Sequence, residues 1–216
     1  MWAKLAHLSG GTNMSSVGLI EVIYGCMFCG KSAELLRLID RARRARQFVL
    51  VFKHAKDGRY NGSKFVSTHN GGRMPCVPVQ TASQIWDIVI TSQRKVNVVA
   101  IDEAQFFDDS IIRIIEDLVN RGVRVIVAGL NLDFRGEPFG PMAQIITRAE
   151  EEHHLTAICT QCGEPAYFTQ RWVNGEPPHY DDPIIMVGAS ESYDARCRRH
   201  HIVIKEPRNQ PLLIEV

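Results

Sequence analysis

Apolar and polar positions alternate along this chain with two periods in turn. Leu19–Tyr24 is an apolar, β-branched run ending at Gly25, which predicts a buried strand running into a loop. From Lys31 to Arg46 the apolar residues Leu35, Leu36, Ile39 and Ala42 recur at helical spacing, with arginines on the other face. Phe48–Phe52 reads as a second buried strand. Asp57–Pro75 is polar and rich in glycine, so it reads as a long loop, a length that usually carries function. A weaker helix over Ala82–Thr91 leads to a third strand at Val96–Ile101. A helix over Asp109–Arg121, a strand over Val123–Gly129 and a helix over Pro141–His153 complete the pattern. Strands alternating with helices imply an α/β fold with a mostly parallel sheet covered on both faces. Near Thr156 the pattern breaks into short strands, paired cysteines and Gly/Pro turns, so a boundary is expected at about 155. The expected divisions are a disordered tail (1–16), an α/β nucleotide-binding domain (17–155), a small metal-binding unit (156–203) and a C-terminal tail (204–216). Met14 is an alternative start.

Composition narrows the class. The chain has 216 residues, 45% of them hydrophobic, and a formal net charge of +1, from 25 Lys and Arg against 24 Asp and Glu. No large field of one sign is present to recruit nucleic acid or an anionic membrane. The longest apolar runs are far shorter than the roughly 20 residues that span a bilayer. Met1–Ser16 holds no apolar stretch of signal-peptide length. Six cysteines, at 26, 29, 76, 159, 162 and 197, are then expected as reduced thiols in the cytoplasm, with any tight pair suspected of holding metal.

Gly25-Cys26-Met27-Phe28-Cys29-Gly30-Lys31-Ser32 fits the phosphate-loop pattern G-x-x-x-x-G-K-[ST]. Glycines let the backbone wrap phosphates closely, and the next helix offers its positive end to the anion. Lys31 is expected to reach the β- and γ-phosphates of ATP, and Ser32 to ligate Mg²⁺. The second half of such a site is an acid at the end of a neighbouring strand, supplied by Asp102-Glu103. Asp102 would hold Mg²⁺, and Glu103 is placed to accept a proton from an attacking oxygen. Ala104 and Gln105 follow on the same loop and join the expected ATP-binding set.

Cys159-x-x-Cys162-Gly is a metal knuckle, and Cys197-x-x-His200 is a second unit of the same spacing. Four N/S ligands in two pairs suit a closed tetrahedral Zn²⁺. A redox C-x-x-C pair, unconnected cysteines, and His201 in place of His200 are the alternatives. Cys26, Cys29 and Cys76 read as small residues near the active site, without a metal. Arg37, Arg41, Arg43, Arg44 and Arg46 read as a solvated or subunit-contact face. His153, His154 and His179 are given no role. Phe106 and Phe107 can stack on a base or pack in the core.

With these residues in view, the chain resembles the type II, zinc-containing thymidine kinases. The resemblance lies in Gly25–Ser32, Asp57-Gly-Arg59-Tyr60, His69-Asn70-Gly71, Asp102-Glu103-Ala104-Gln105-Phe106-Phe107 and Asp133-Phe134-Arg135-Gly136. Cys159-x-x-Cys162, Thr169-Gln-Arg171 and Gly188-Ala-Ser-Glu-Ser-Tyr193 extend it, in order, from about 17 to 203. It implies a RecA-like core with a zinc-bearing lasso, a cytosolic tetramer, and inhibition by thymidine triphosphate. It also implies phosphorylation of the thymidine 5′-hydroxyl with Glu103 as base. Phe134 and Tyr193 would line the nucleoside pocket, Met27 would face the thymine methyl, and Phe106 joins the expected substrate contacts. Arg59 would approach the transferring phosphate, and the lid strand Ile184, Ile185, Met186, Val187 and Gly188 would grip the base. Cys26 and Cys29 depart from the family, where Pro or Ser and Ser are usual, as does Ala33, where a hydroxyl residue is common. His200 replaces a frequent Cys. A RecA-type ATPase acting on nucleic acid is the alternative of a different class, disfavoured by charge and size.

Overall fold

The computed structural model describes residues 18–55, 65–67, 71–185 and 191–206. The element order is β1 (Ile20–Tyr24), α1 (Lys31–Arg44), β2 (Val49–His54), β3 (Phe65–Ser67), β4 (Arg73–Pro75), β5 (Val77–Val79), α2 (Ala82–Ile90) and β6 (Val98–Asp102). There follow α3 (Ser110–Asn120), β7 (Arg124–Gly129), α4 (Met142–Ile146), β8 (Glu151–His154), β9 (Ala157–Ile158), β10 (Pro165–Ala166), β11 (Phe168–Val173) and β12 (Glu191–Arg196). Six strands form one sheet in the order β5-β2-β6-β7-β1-β8, and every pairing in it is parallel. Parallel strands put all their C-terminal ends on one edge, so the loops that leave β1, β6, β7 and β8 gather there. The expected α/β class is what the chain adopts.

Each sheet face has its own core, as the two-residue period of a strand requires. Ile20, Val22, Val99, Ile101, Val125 and Val127 pack on one side with Ile85 of α2, Ile111, Ile115 and Leu118 of α3, and Met142 of α4. Ile23, Val98, Ala100, Ile126 and Ala128 pack on the other against Leu35, Leu38 and Ile39 of α1. Burying each such side chain stabilises the fold by about 1.5–3 kcal/mol. The arginines of α1 sit on its outer face, where Arg37 pairs with Glu34 and Arg44 with Asp40, at 2.5 and 2.7 Å. No helix among the described residues is long and apolar enough to cross a membrane.

Two expectations fail here. The helix expected over 141–153 is only Met142–Ile146, and Glu151-Glu152-His153-His154 is instead the edge strand β8, parallel to β1. Its polar sequence hides it, because an edge strand needs no apolar face of its own. What fixes it is tertiary. Glu21, buried on β1, accepts from Arg124 Nε at 2.8 Å and meets His153 Nε2 at 2.7 Å, and His153 Nδ1 lies 3.6 Å from Glu34. His153 therefore has partners that its sequence neighbours do not reveal. Within the segment expected as one long loop, β3 and β4 pair as an antiparallel hairpin. The tail expected at 1–16, Met14, the 57–60 motif and residues 207–216 lie outside the described residues, while the tail expected from 204 begins with Ile204 bridged to His179.

Beyond His154 the sheet ends. A β9–β10 hairpin carries Cys159 and Cys162 between its strands, and the longer antiparallel pair β11–β12 delivers Cys197 at its end.

Candidate active site

The loop from Gly25 to Gly30 joins β1 to α1 at the gathered strand ends. Gly25 takes φ +150°, and a Cβ there would fall 2.1 Å from Leu155 O, so no other residue fits. Phe28, at φ 66°, is half-exposed in left-handed backbone, and Gly30 at φ 92° opens α1. Lys31 Nζ donates to Cys26 O at 2.7 Å and to Gly25 O at 3.1 Å, and lies 3.7 Å from Cys29 Sγ. Its ammonium thus sits over the loop that sequence spacing assigned to phosphate. Ser32 is half-buried in the first turn of α1. Met27 N donates to Thr169 Oγ1 at 3.0 Å, which ties the loop to β11.

The Cys26 and Cys29 thiols share a hydrogen bond. That bond, with the Lys31 charge, brings Cys29 down to about 6 against the opposing effect of burial. The same bond and burial push Cys26 up. Cys76, by contrast, is pushed up to about 11 by burial.

Asp102 ends β6, buried, but β6 is not a neighbour of β1: β7 lies between them. The sheet still brings both loops to one edge, so the acid arrives across one intervening strand. Glu103 has already left the strand, at φ 55° and ψ 43°. Strand alternation therefore does not set the directions of Asp102 and Glu103. Asp102 Oδ1 accepts from Glu103 N at 3.0 Å, and Gln105 Nε2 donates to Glu103 Oε2 at 2.6 Å. Gln105 Oε1 in turn accepts from Leu130 N at 3.0 Å, at the end of β7. Gln105, expected only as an ATP contact, orients Glu103. Ala104 is buried in the same short turn. Lys53 and His54, buried at the end of β2, were missed in the sequence; Lys53 lies opposite Asp102 in register.

Of the expected nucleoside contacts, Phe134 is buried with the Arg171 guanidinium 3.6 Å from its ring centre. Tyr193 on β12 stands opposite Arg171 on β11. Phe106 is half-buried, edge-on to Phe139 at 5.7 Å, while Phe107 is buried against His54. Ile184 and Ile185 are exposed. Arg59, Met186, Val187 and Gly188 lie outside the described residues. Arg171, fully buried, was quoted in a motif but given no role. Its Nη1 donates to Pro183 O at 2.7 Å and its Nη2 lies 3.7 Å from Asp182, so it anchors Asp182 and Pro183.

The sulfurs of Cys159, Cys162 and Cys197 and a ring nitrogen of His200 all lie within 4.8 Å of one another. Cys162 and Cys197 Sγ are 3.8 Å apart, and His200 Nδ1 is 3.4 Å from Cys197 and 3.7 Å from Cys159. Those spacings match the edges of a tetrahedron with Zn–S about 2.3 Å and Zn–N about 2.0–2.1 Å. Burial opposes ionisation of Cys159, yet backbone N–H groups and His200 outweigh it and bring this thiol to about 5. His201 is turned away, its Nε2 donating to Phe134 O at 2.8 Å while the ring stacks on Phe168. Of the two candidate histidines, His200 is the one in the cluster.

The sequence matches the family described as thymidine kinase over residues 18–201. One similar solved structure is that of a DnaB-like replicative helicase, described with its interactions with primase. It is 12% identical with a TM-score of 0.41, and the match covers 55% of this chain and 41% of that one. The chain thus spans less than half of the helicase chain, and a likeness of that size says nothing about function.

Proposed function

Because the chain belongs to the thymidine kinase family, we propose that it transfers the γ-phosphate of ATP to the 5′-hydroxyl of thymidine. The family makes it a kinase; the acceptor and the residue roles are our reading. The observation that carries it is Glu103, a carboxylate in left-handed backbone at a strand end, oriented by Gln105. Such a group, positioned rather than merely exposed, suits a base for a single hydroxyl.

In this reading the loop 25–32 cradles the triphosphate with its N–H groups, and Lys31 leaves the loop carbonyls for phosphate oxygens. Ser32 and Asp102 would hold Mg²⁺, which when bound neutralises phosphate charge. Ala104 and Gln105 complete the ATP side. Glu103 takes the proton of the 5′-hydroxyl as that oxygen attacks phosphorus in line. Met27, Phe106, Phe134 and Tyr193 shape the nucleoside pocket, the lid 184–188 closes over the base, and Arg59 approaches the phosphate. Cys159, Cys162, Cys197 and His200 would hold a structural zinc with no part in the chemistry. A cytoplasmic homotetramer inhibited by thymidine triphosphate, with a nucleotide-binding domain to about 155 and a zinc-bearing lasso to 203, completes the proposal.

The test is ADP release with Mg·ATP and a panel of nucleosides, with and without single-stranded DNA. Thymidine should drive turnover and DNA should not. A rate that rises with DNA and ignores every nucleoside would replace the kinase by a nucleic-acid-dependent ATPase.

A further inference from the structure

Two cysteines lie in the phosphate loop, and the chemistry proposed above uses neither thiol. Cys26 is buried, its sulfur 3.4 Å from Ala166 O, within a small apolar cluster that includes Ala157 and Ala195. Cys29, three residues on, is half-buried, 3.7 Å from the Lys31 ammonium and just ahead of the first turn of α1. A cation and a helix N-terminus are the surroundings that make a thiol nucleophilic. A second thiol packed in the same small cluster is what a sulfur oxidised once needs to go on to a disulfide.

We propose that Cys26 and Cys29 form a reversible oxidation site, closed by hydrogen peroxide into a disulfide across the phosphate loop. The Cys29 thiolate attacks one peroxide oxygen, the O–O bond breaks, and the departing hydroxide takes a proton to become water. Cys29 is left as a sulfenic acid. The Cys26 sulfur then attacks the Cys29 sulfur as its own proton leaves with the hydroxyl group, the S–O bond breaks, and a second water departs. Two thiols lose two electrons and the peroxide gains them. The outcome matters for the nucleotide. The new bond fixes residues 26–29, whose backbone must wrap the phosphates. Oxidation therefore weakens ATP binding at the loop. This rests on the phosphate-loop reading.

The experiment uses full-length, zinc-loaded protein treated with hydrogen peroxide and then desalted. Tryptic cleavage gives one peptide, from Leu5 to Lys31, that holds Cys26 and Cys29 and no other cysteine. Its mass should fall by two hydrogens, zinc should stay bound, and Mg·ATP affinity should drop about tenfold or more through lost pre-organisation. A dithiol should restore both mass and affinity. Cys29→Ser and, separately, Cys26→Ala should each lose a smaller fraction of their own untreated ATP binding. If the peptide is unchanged while zinc is released and binding falls, the site is the zinc knuckle and the proposal is overturned. A disulfide that forms without changing ATP affinity overturns the link to the loop. Because mass reads the thiols directly, a reduced protein that fails to bind ATP at all indicts the phosphate-loop reading instead.

Discussion

Glu103 occupies left-handed backbone at φ 55°, which costs a non-glycine residue about 1–2 kcal/mol. Strain kept at one carboxylate has a testable signature. Glu103→Gly should leave unfolding free energy unchanged or raised by up to about 1 kcal/mol while turnover disappears. Urea unfolding beside initial rates checks this, and a large loss of stability would make Glu103 a structural residue instead. Glu103→Gln retains the shape but cannot take a proton. It should cut turnover roughly 10²–10⁴-fold and leave Mg·ATP and thymidine affinities within a few-fold by calorimetry. The glycine-bounded loop before α1 and the acids at the end of β6 were legible because glycine spacing and a strand end are local signals. The roles of Gln105 and Arg171 were not, since each depends on groups brought near only by folding.

At the scale of elements, the two ends of the sheet differ in how they announce themselves. The central strands carry apolar runs because both faces are buried. β8 carries Glu151-Glu152-His153-His154 and is held by partners on β1 and α1. Helical pattern-reading simply ran on through it. The four-ligand cluster was legible from ligand spacing alone, which favoured His200 over His201, and the contact of His201 to Phe134 O agrees with that choice. Cys162→Ser should lower bound metal from about one per chain and destabilise β9–β12, since structural zinc contributes folding free energy. Elemental analysis and thermal unfolding decide it, and wild-type protein without zinc would remove the assignment. Arg171→Ala should cost about 3–5 kcal/mol, because it strips a buried charge from Asp182 and the segment at Pro183. A loss below 1 kcal/mol would mean that Asp182 and Pro183 do not depend on this guanidinium.

Across the whole molecule, the earlier and later parts of the chain meet at the loop from Gly25 to Gly30. Met27 N is held by Thr169 Oγ1 on β11, and Cys26 packs in the same cluster as Cys159. Zinc removal should therefore reach the nucleotide site. Chelation should weaken Mg·ATP affinity beyond what Thr169→Val does alone, a substitution that deletes one hydrogen bond worth about 0.5–1.5 kcal/mol. Equal ATP affinity in the metal-free protein would show the halves to be energetically independent. The same long reach bears on how the chain is made. Glu21 is synthesised early, yet Arg124 follows 103 residues later and His153 132 residues later. Until Arg124 arrives the β1 carboxylate has neither partner, and until His153 follows the flank that β8 will cover stays open. A nascent chain that has emerged only to about residue 140 can assemble five of the six strands but leaves β1 as a bare edge, the geometry that invites pairing with other chains. Completion of this fold is thus tied to the last of the six strands leaving the ribosome, and a stall just before it is the moment of greatest aggregation risk.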